Sequence, residues 1–204
     1  RQKIESNAAL LNIPITIFET NVFAVANNSD KSPCYLCARM RRGYLYKKAQ
    51  ELGCNKIALG HHFNDVIETT VMSMFYGSQL QSMPPNLHRT IFPGMVLIRP
   101  LYCVREEDIS AWKRYNDLEF IQCACRFTEN CTTCDNGGGG SKRQEVKVLL
   151  RRLKRDNPNI ENSIFRSIHG VALDTMPGYK TEGQEHSFLE RFDRVEAELQ
   201  KELK

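Results

Sequence analysis

The chain has one tryptophan and no apolar run near the ~20 residues that a membrane-spanning helix needs. Its first residues, "RQKIESNAALLNIP", lack the apolar core of a secretory signal peptide. No methionine stands at position 1, so the reading expects a chain that begins within a longer one. Neither sign of charge dominates: 28 Lys and Arg face 24 Asp and Glu, and a net charge of +4 does not by itself point to nucleic acid. At 204 residues, 41% hydrophobic and 25% charged, the composition is that of a globular chain of one domain or slightly more. The expectation is a soluble, cytoplasmic protein with no membrane partner.

Cysteine, by contrast, is plentiful: there are eight. Without an export signal, such thiols are read as reduced and used for metal or redox chemistry rather than for a disulfide framework. Cys34 and Cys37 form one CxxC and Cys131 and Cys134 another, with Cys123 and Cys125 just ahead of the second. Two CxxC pairs nearly 100 residues apart are a strong metal signal, open to zinc or to an iron–sulfur cluster. Cys54 and Cys103 stand alone and are expected as small buried hydrophobes.

Periodicity places these motifs on elements. Residues 1–12 read as a helix with Ile4, Ala8 and Leu11 on one side, and "ITIFE" as a strand. "RMRRGYLYKKAQELG" is helical and closes on Gly53, "KIALG" is a buried strand, and "NDVIETTVMSMFYG" is a helix capped by Asn64. After a turn at "MPPN", the strands "RTIFP" and "MVLIRP" can pair across Gly94, and the helix "REEDISAWKRYND" follows. The alternation predicts an α/β fold whose mainly parallel sheet is flanked by helices. Ligands of such sheets bind beyond the carboxyl ends of strands, where "GHHFND" falls. That turn is read either as a structural turn or as backbone N–H groups offered to a phosphate, with Asp65 available for magnesium.

The predicted organisation is an α/β domain over 1–120, a Cys- and Gly-rich segment over 121–141 and a helical region over 142–204. "KRQEVKVLLRRLKRD" carries seven basic and two acidic side chains and suits a solvated helix face or an RNA-contacting one equally. The last helix offers Phe188, Leu189, Phe192, Val195 and Leu199 as a buried stripe.

The segment "CYLCARMRRGYLYKKAQELGCNKIALGHHFNDVIETTVMSMFYG" resembles the tRNA 2-thiocytidine synthetase family of PP-loop ATP pyrophosphatases, and the likeness runs on through "MPPN", "VLIRPLYCVREEDI" and "FIQCAC". The resemblance implies an adenine nucleotide alpha-hydrolase fold that uses ATP and magnesium to adenylate the C2 oxygen of a tRNA cytidine, suspected in the anticodon loop. A sulfur donor then replaces that oxygen. It further implies a [4Fe-4S] cluster held by three cysteines, which carry over to Cys34, Cys37 and Cys123, and a possible homodimer. Arg41 and Asp65 become the catalytic candidates, and Gly60, His61, His62 and Arg42 the nucleotide-binding ones.

The chain departs from that family in two places. "CACRFTENCTTC" replaces a simple CxxC, so Cys125 competes with Cys123 as third ligand, and Cys131 and Cys134 allow a four-cysteine zinc site. The family's SGGxDS loop, whose backbone N–H groups cradle pyrophosphate, does not occur in the 204 residues. Alone, the chain is therefore expected to bind ATP poorly and to catalyse nothing. Two other readings stay open: a zinc- and RNA-binding module without catalysis, and a lysidine synthetase-like ligase, which shares the GHH turn but needs no CxxC.

Overall fold

Helix α1, Gln2–Leu10, opens the computed structural model, which describes residues 1–22, 33–88, 92–120 and 142–202, the side chains of 33–35 and 197–202 excepted. Helix α2 follows at Pro33–Glu51, then strand β1 at Lys56–Ala58, helix α3 at Phe63–Gly77, strands β2 at Asn86–His88 and β3 at Val96–Ile98, and helix α4 at Glu106–Tyr115. Helices α5, Lys142–Asp156, and α6, Ile160–His169, come next. The chain divides into two units, Arg1–Glu161 and Asn162–Lys204.

In the first unit β3 lies between β1 and β2, parallel to β1 and antiparallel to β2, with Ile57 opposite Leu97 and Leu97 opposite Leu87. The sheet is small and mixed. Only Ile57 of β1 is buried, so "KIALG" is half-covered rather than fully buried as expected. Tyr46 of α2 closes over the sheet with Ile57, Met95 and Leu97, and Phe92 stacks on its ring with centroids 4.7 Å apart. Removing so well packed a side chain as Leu97 costs about 2–5 kcal/mol in comparable cores. Val66, Ile67 and Val71 of α3 and Val146 and Leu150 of α5 are also buried, and these two helices pack together.

Helix ends follow local chemistry. Gly53 adopts φ +70°, and its N–H and that of Cys54 return to the carbonyls of Gln50 and Ala49, closing α2 where expected. Glu106, Glu107 and Asp108 occupy the first turn of α4, and Lys113 and Arg114 its last, each sign suiting the helix dipole.

Several expectations are corrected. Residues 15–19 form no strand: no described strand lies beside them, and Ile15, Ile17 and Phe18 remain exposed. The strand "RTIFP" falls partly outside the described residues, and the pairing partner of β3 is instead Asn86–His88, placing part of "MPPN" in the sheet. Helix α3 is capped two residues earlier than expected, by His62 instead of Asn64. Asn64 serves another helix: its Oδ1 accepts the N–H of Glu106 at 3.0 Å, an otherwise orphan donor in the first turn of α4. Cys54 and Cys103 are exposed, because the turn after α2 and the loop after β3 carry them outward.

The second unit contains the rest of α6, a short 3₁₀ turn at Leu173–Thr175, the hairpin of β4, Gly178–Thr181, with β5, Gln184–Ser187, and helix α7, Phe188–Glu202. The hairpin, absent from the sequence reading, turns at Glu182 and Gly183, both at positive φ. Arg191 ties α7 to the 3₁₀ turn through the carbonyls of Leu173 and Met176 at 2.6 and 2.8 Å. Phe188, Leu189, Phe192 and Val195 are exposed rather than buried, with no layer over them among the described residues of this unit; Leu199 lies outside the described side chains.

Candidate functional site

Between β1 and α3 the chain turns through Leu59, Gly60, His61 and His62, and neighbouring backbone pins this turn. Leu59 N–H donates to the Ile98 carbonyl and Phe63 N–H to that of Val104, both at 2.9 Å, while the Arg105 guanidinium sits 4.5 Å above the Phe63 ring. At the helix start, the Asp65 carboxylate accepts the His62 N–H at 2.9 Å, satisfying a donor that no helical carbonyl reaches.

His61 projects into two adjoining clefts of about 460 and 430 Å³, which share Arg42, Leu59, His61 and Leu97. Both volumes suit a small-molecule ligand. Arg99, Thr69, Ser73 and Ser82 add polar groups to the first, and Arg41, Phe18 and Tyr44 line the second. Cations near aromatic faces suit phosphate together with a stacked base. Burial lowers the His61 pKa below the ordinary imidazole value, with Arg99, Arg143 and His62 adding to the effect and Asp65 opposing it. The ring is thus neutral at pH 7. Its Nδ1 is buried and has no hydrogen-bond partner among the described residues.

Behind the turn lies a layer of paired charges. Arg143 of α5 reaches Asp65 Oδ1 at 2.7 Å and Glu68 Oε2 at 2.8 Å, and Lys147 lies 3.7 Å from Glu68 Oε1 and 3.2 Å from Glu106. Glu68 is almost fully buried, and burial raises its pKa despite Arg143 and Lys147.

The fold therefore brings Arg41, Arg42 and His61 together at one cleft. Gly60 is exposed, and a Cβ there would meet nothing within 4 Å, leaving the backbone open to a ligand. His62 and Asp65 face the charged layer, with His62 Nε2 3.4 Å from Asp65 Oδ2. Both Asp65 oxygens are engaged, an arrangement that does not fit a magnesium ion on this carboxylate. Cys34 and Cys37 fall in the first turns of α2, three residues apart, upstream of Arg41 on the same helix, and the Cys37 thiol is half-buried and free. That spacing and donor chemistry fit two thiolates on one metal or cluster. The Cys34 side chain, Cys123, Cys125, Cys131 and Cys134 lie outside the described residues, among which no three metal-ligating side chains converge. Sequence reasoning missed Arg99, Glu68 and Arg143. Glu68 was signalled only by standing one helical turn after Asp65, and Arg143 only by membership of the basic run.

A family model described as the PP-loop domain matches residues 1–127. The chain belongs to the PP-loop domain family. It is similar to the tRNA-cytidine(32) 2-sulfurtransferase of Methylobacillus flagellatus, 38% identical over 165 residues, covering 79% of this chain and 51% of that protein. The enzymes of the same name from Photobacterium profundum and Vibrio parahaemolyticus are 38% and 37% identical over 166 residues, each alignment covering 79% of this chain and 52% of the relative. This PP-loop chain thus spans about half the length of the curated relatives it matches. Among solved structures it is similar in fold to the U34-tRNA thiolase NcsA from Methanococcus maripaludis with its [4Fe-4S] cluster, with a TM-score of 0.61, 20% identity, and coverage of 82% of this chain and 54% of that one. The α/β fold and the family expected from "CYLC" and "GHHFND" are borne out. No described helix is long and apolar enough to cross a membrane.

Proposed function

We propose that this chain is part of an ATP-dependent sulfurtransferase that thiolates a tRNA base, a cytidine at C2, with a [4Fe-4S] cluster held by Cys34, Cys37 and Cys123. The observation that carries the reading is the convergence of Arg41, Arg42 and His61 on one cleft, on a chain similar over 79% of its length to tRNA-cytidine(32) 2-sulfurtransferases. When bound, the cluster would supply an iron site for the incoming sulfur, and ATP would adenylate the C2 oxygen with release of pyrophosphate, so that this oxygen leaves within AMP when sulfur takes its place.

The chain's own residues act around those groups. Arg41 and Arg42 place guanidinium forks where phosphate oxygens and a base oxygen gaining negative charge would lie. His61, neutral and partly desolvated, can donate one hydrogen bond and accept another without adding charge. Phe18 and Tyr44 offer ring faces for an extruded base or for adenine. Asp65 and His62 hold the turn rather than touch substrate, and Gly60 lets backbone approach the nucleotide. Magnesium is assigned to the phosphates of the nucleotide. A sulfur donor, a cytoplasmic setting and a homodimer complete the proposal.

The test begins with iron and acid-labile sulfide on protein purified without oxygen. Near-stoichiometric iron and sulfide are expected, with loss in the Cys34→Ala/Cys37→Ala variant. Zinc without iron, or full iron retention when both cysteines are replaced, would sink the cluster assignment. Thiolation is then assayed by mass spectrometry of tRNA nucleosides, with a polypeptide carrying the SGGxDS sequence supplied in trans.

A further inference from the structure

Helix α5 carries seven cations, and the fold divides them into two sets. Arg143, Lys147 and Lys154 lie on the face that also buries Val146 and Leu150, and all three meet carboxylates. Arg143 pairs with Asp65 and Glu68, Lys147 with Glu68 and Glu106, and Lys154 with Glu161 at 2.9 Å. Arg105 Nη1 shares the same Glu161 oxygen, Oε2, at 2.8 Å. Lys142 is held by Glu145 at 3.0 Å and lies over the Tyr76 ring. The carboxylates around the helix are thereby committed to partners.

Arg151, Arg152 and Arg155 remain. All three are exposed and form no ion pair among the described residues. Arg151 borders the small hollow above Glu161, whose carboxylate Arg105 and Lys154 already hold. Asp156 is the acidic neighbour on this stretch and is itself exposed. Because the inner layer is neutralised pair by pair, the three outward arginines, against the single charge of Asp156, carry a net positive field. Their spacing, with 151 and 155 one turn apart and 152 beside them, sets three guanidinium groups along one side of the helix.

We infer that Arg151, Arg152 and Arg155 form a contact surface for the phosphate backbone of RNA. This rests on the tRNA reading above and names a face for the substrate outside the cleft. The chemistry favours a phosphate backbone over the other anionic partners. Guanidinium forks engage phosphate oxygens in pairs. A membrane-surface helix would also present a broad apolar face, whereas Val148 is the one large apolar side chain exposed on α5. Backbone contacts of this kind position RNA without reading its sequence, leaving base choice to the cleft.

The experiment is a salt titration of tRNA binding by fluorescence anisotropy. It uses an unmodified tRNA transcript, the protein as it exists, and a variant with Arg151→Gln, Arg152→Gln and Arg155→Gln. Glutamine keeps the helix and removes three charges. The variant is expected to bind about tenfold or more weakly at 0.1 M salt, with a log–log salt dependence shallower by about two, from ~0.7 per lost phosphate contact. The matching triple lysine variant is expected to retain most of the slope, and thermal melting confirms that both variants fold. If the wild type binds and the glutamine variant shows the same slope, this face is not the contact surface, while the tRNA reading stands. If the wild type binds no tRNA, the tRNA reading fails and this inference with it. If phosphatidylserine vesicles, rather than tRNA, lose binding on substitution, the partner is a lipid surface and the inference is overturned.

Discussion

Arg143 Nη2 stands 2.7 Å from Asp65 Oδ1, joining the first turn of the basic helix to the first turn of the helix that follows the two histidines. The same guanidinium bonds Glu68 through Nε, so one side chain holds two carboxylates one helical turn apart. Through Asp65, which caps the His62 N–H, this clamp reaches the turn that aims His61 into the cleft.

Replacing Arg143 with alanine leaves Glu68 buried with only the more distant Lys147 nearby. The expected loss is about 2–3 kcal/mol of stability, somewhat below the cost of breaking a fully buried pair because Arg143 is itself partly exposed. Urea unfolding at pH 7 measures it, and a change within 0.5 kcal/mol, roughly the scatter of ordinary surface substitutions, would show that the clamp is ornamental.

Glu68 itself has a raised pKa, burial outweighing its cationic partners. The folded state therefore holds the Glu68 proton to higher pH than the unfolded chain, and this group's stabilising contribution fades as pH rises from the ordinary glutamate range through the raised value. Glu68→Gln should abolish that decline while keeping the Arg143–Asp65 pair. Melting curves of both proteins from pH 4 upward should converge in acid, with the variant gaining relative to wild type as pH rises. The opposite divergence would mean the ion pairs dominate.

For His61 the sign is reversed. Its lowered pKa means that the unfolded chain takes up a proton first as pH falls below about 6.5, the ordinary imidazole value, so folding loses stability in that window. NMR titration of the His61 ring should give a midpoint below that of a free histidine, and His61→Gln should remove its share of the loss in acid. A midpoint at or above the free value would place the ring in water or beside an uncompensated carboxylate.

Arg42 lines both clefts yet is exposed, so the proposed function assigns it to ligand more than to fold. Arg42→Ala should leave stability within about 0.5 kcal/mol and weaken adenine nucleotide binding about tenfold, the loss of one charge-assisted contact. Calorimetry of AMP and ATP binding, beside a thermal melt, separates these effects. Unchanged affinity would move the nucleotide out of this cleft.

Much of the fold was legible because local rules acted alone. Gly53 ends α2 by its positive φ, the acidic first turn and basic last turn of α4 match its dipole, and the alternation of strand and helix around "KIALG" announced an α/β chain. Arg41, Arg42 and His61, expected together from family likeness, do line one cleft. Elements that depend on distant partners were not. "ITIFE" has the composition of a strand, but composition does not provide a neighbour, and the apolar stripe of α7 has helical period with no layer over it among the described residues.

By itself the sequence determined where most of the helices lie, where α2 stops, and which cysteines, histidines and arginines are available for chemistry, since these follow from side-chain periodicity, capping and spacing. Only the tertiary structure decided how the charges are spent. Asn64 caps a helix 42 residues away, Asp65 is bound by an arginine 78 residues away, and the seven cations of α5 divide into paired and unpaired sets. Such pairings depend on which faces long-range packing brings within 3 Å, and a linear pattern carries no distance between helices.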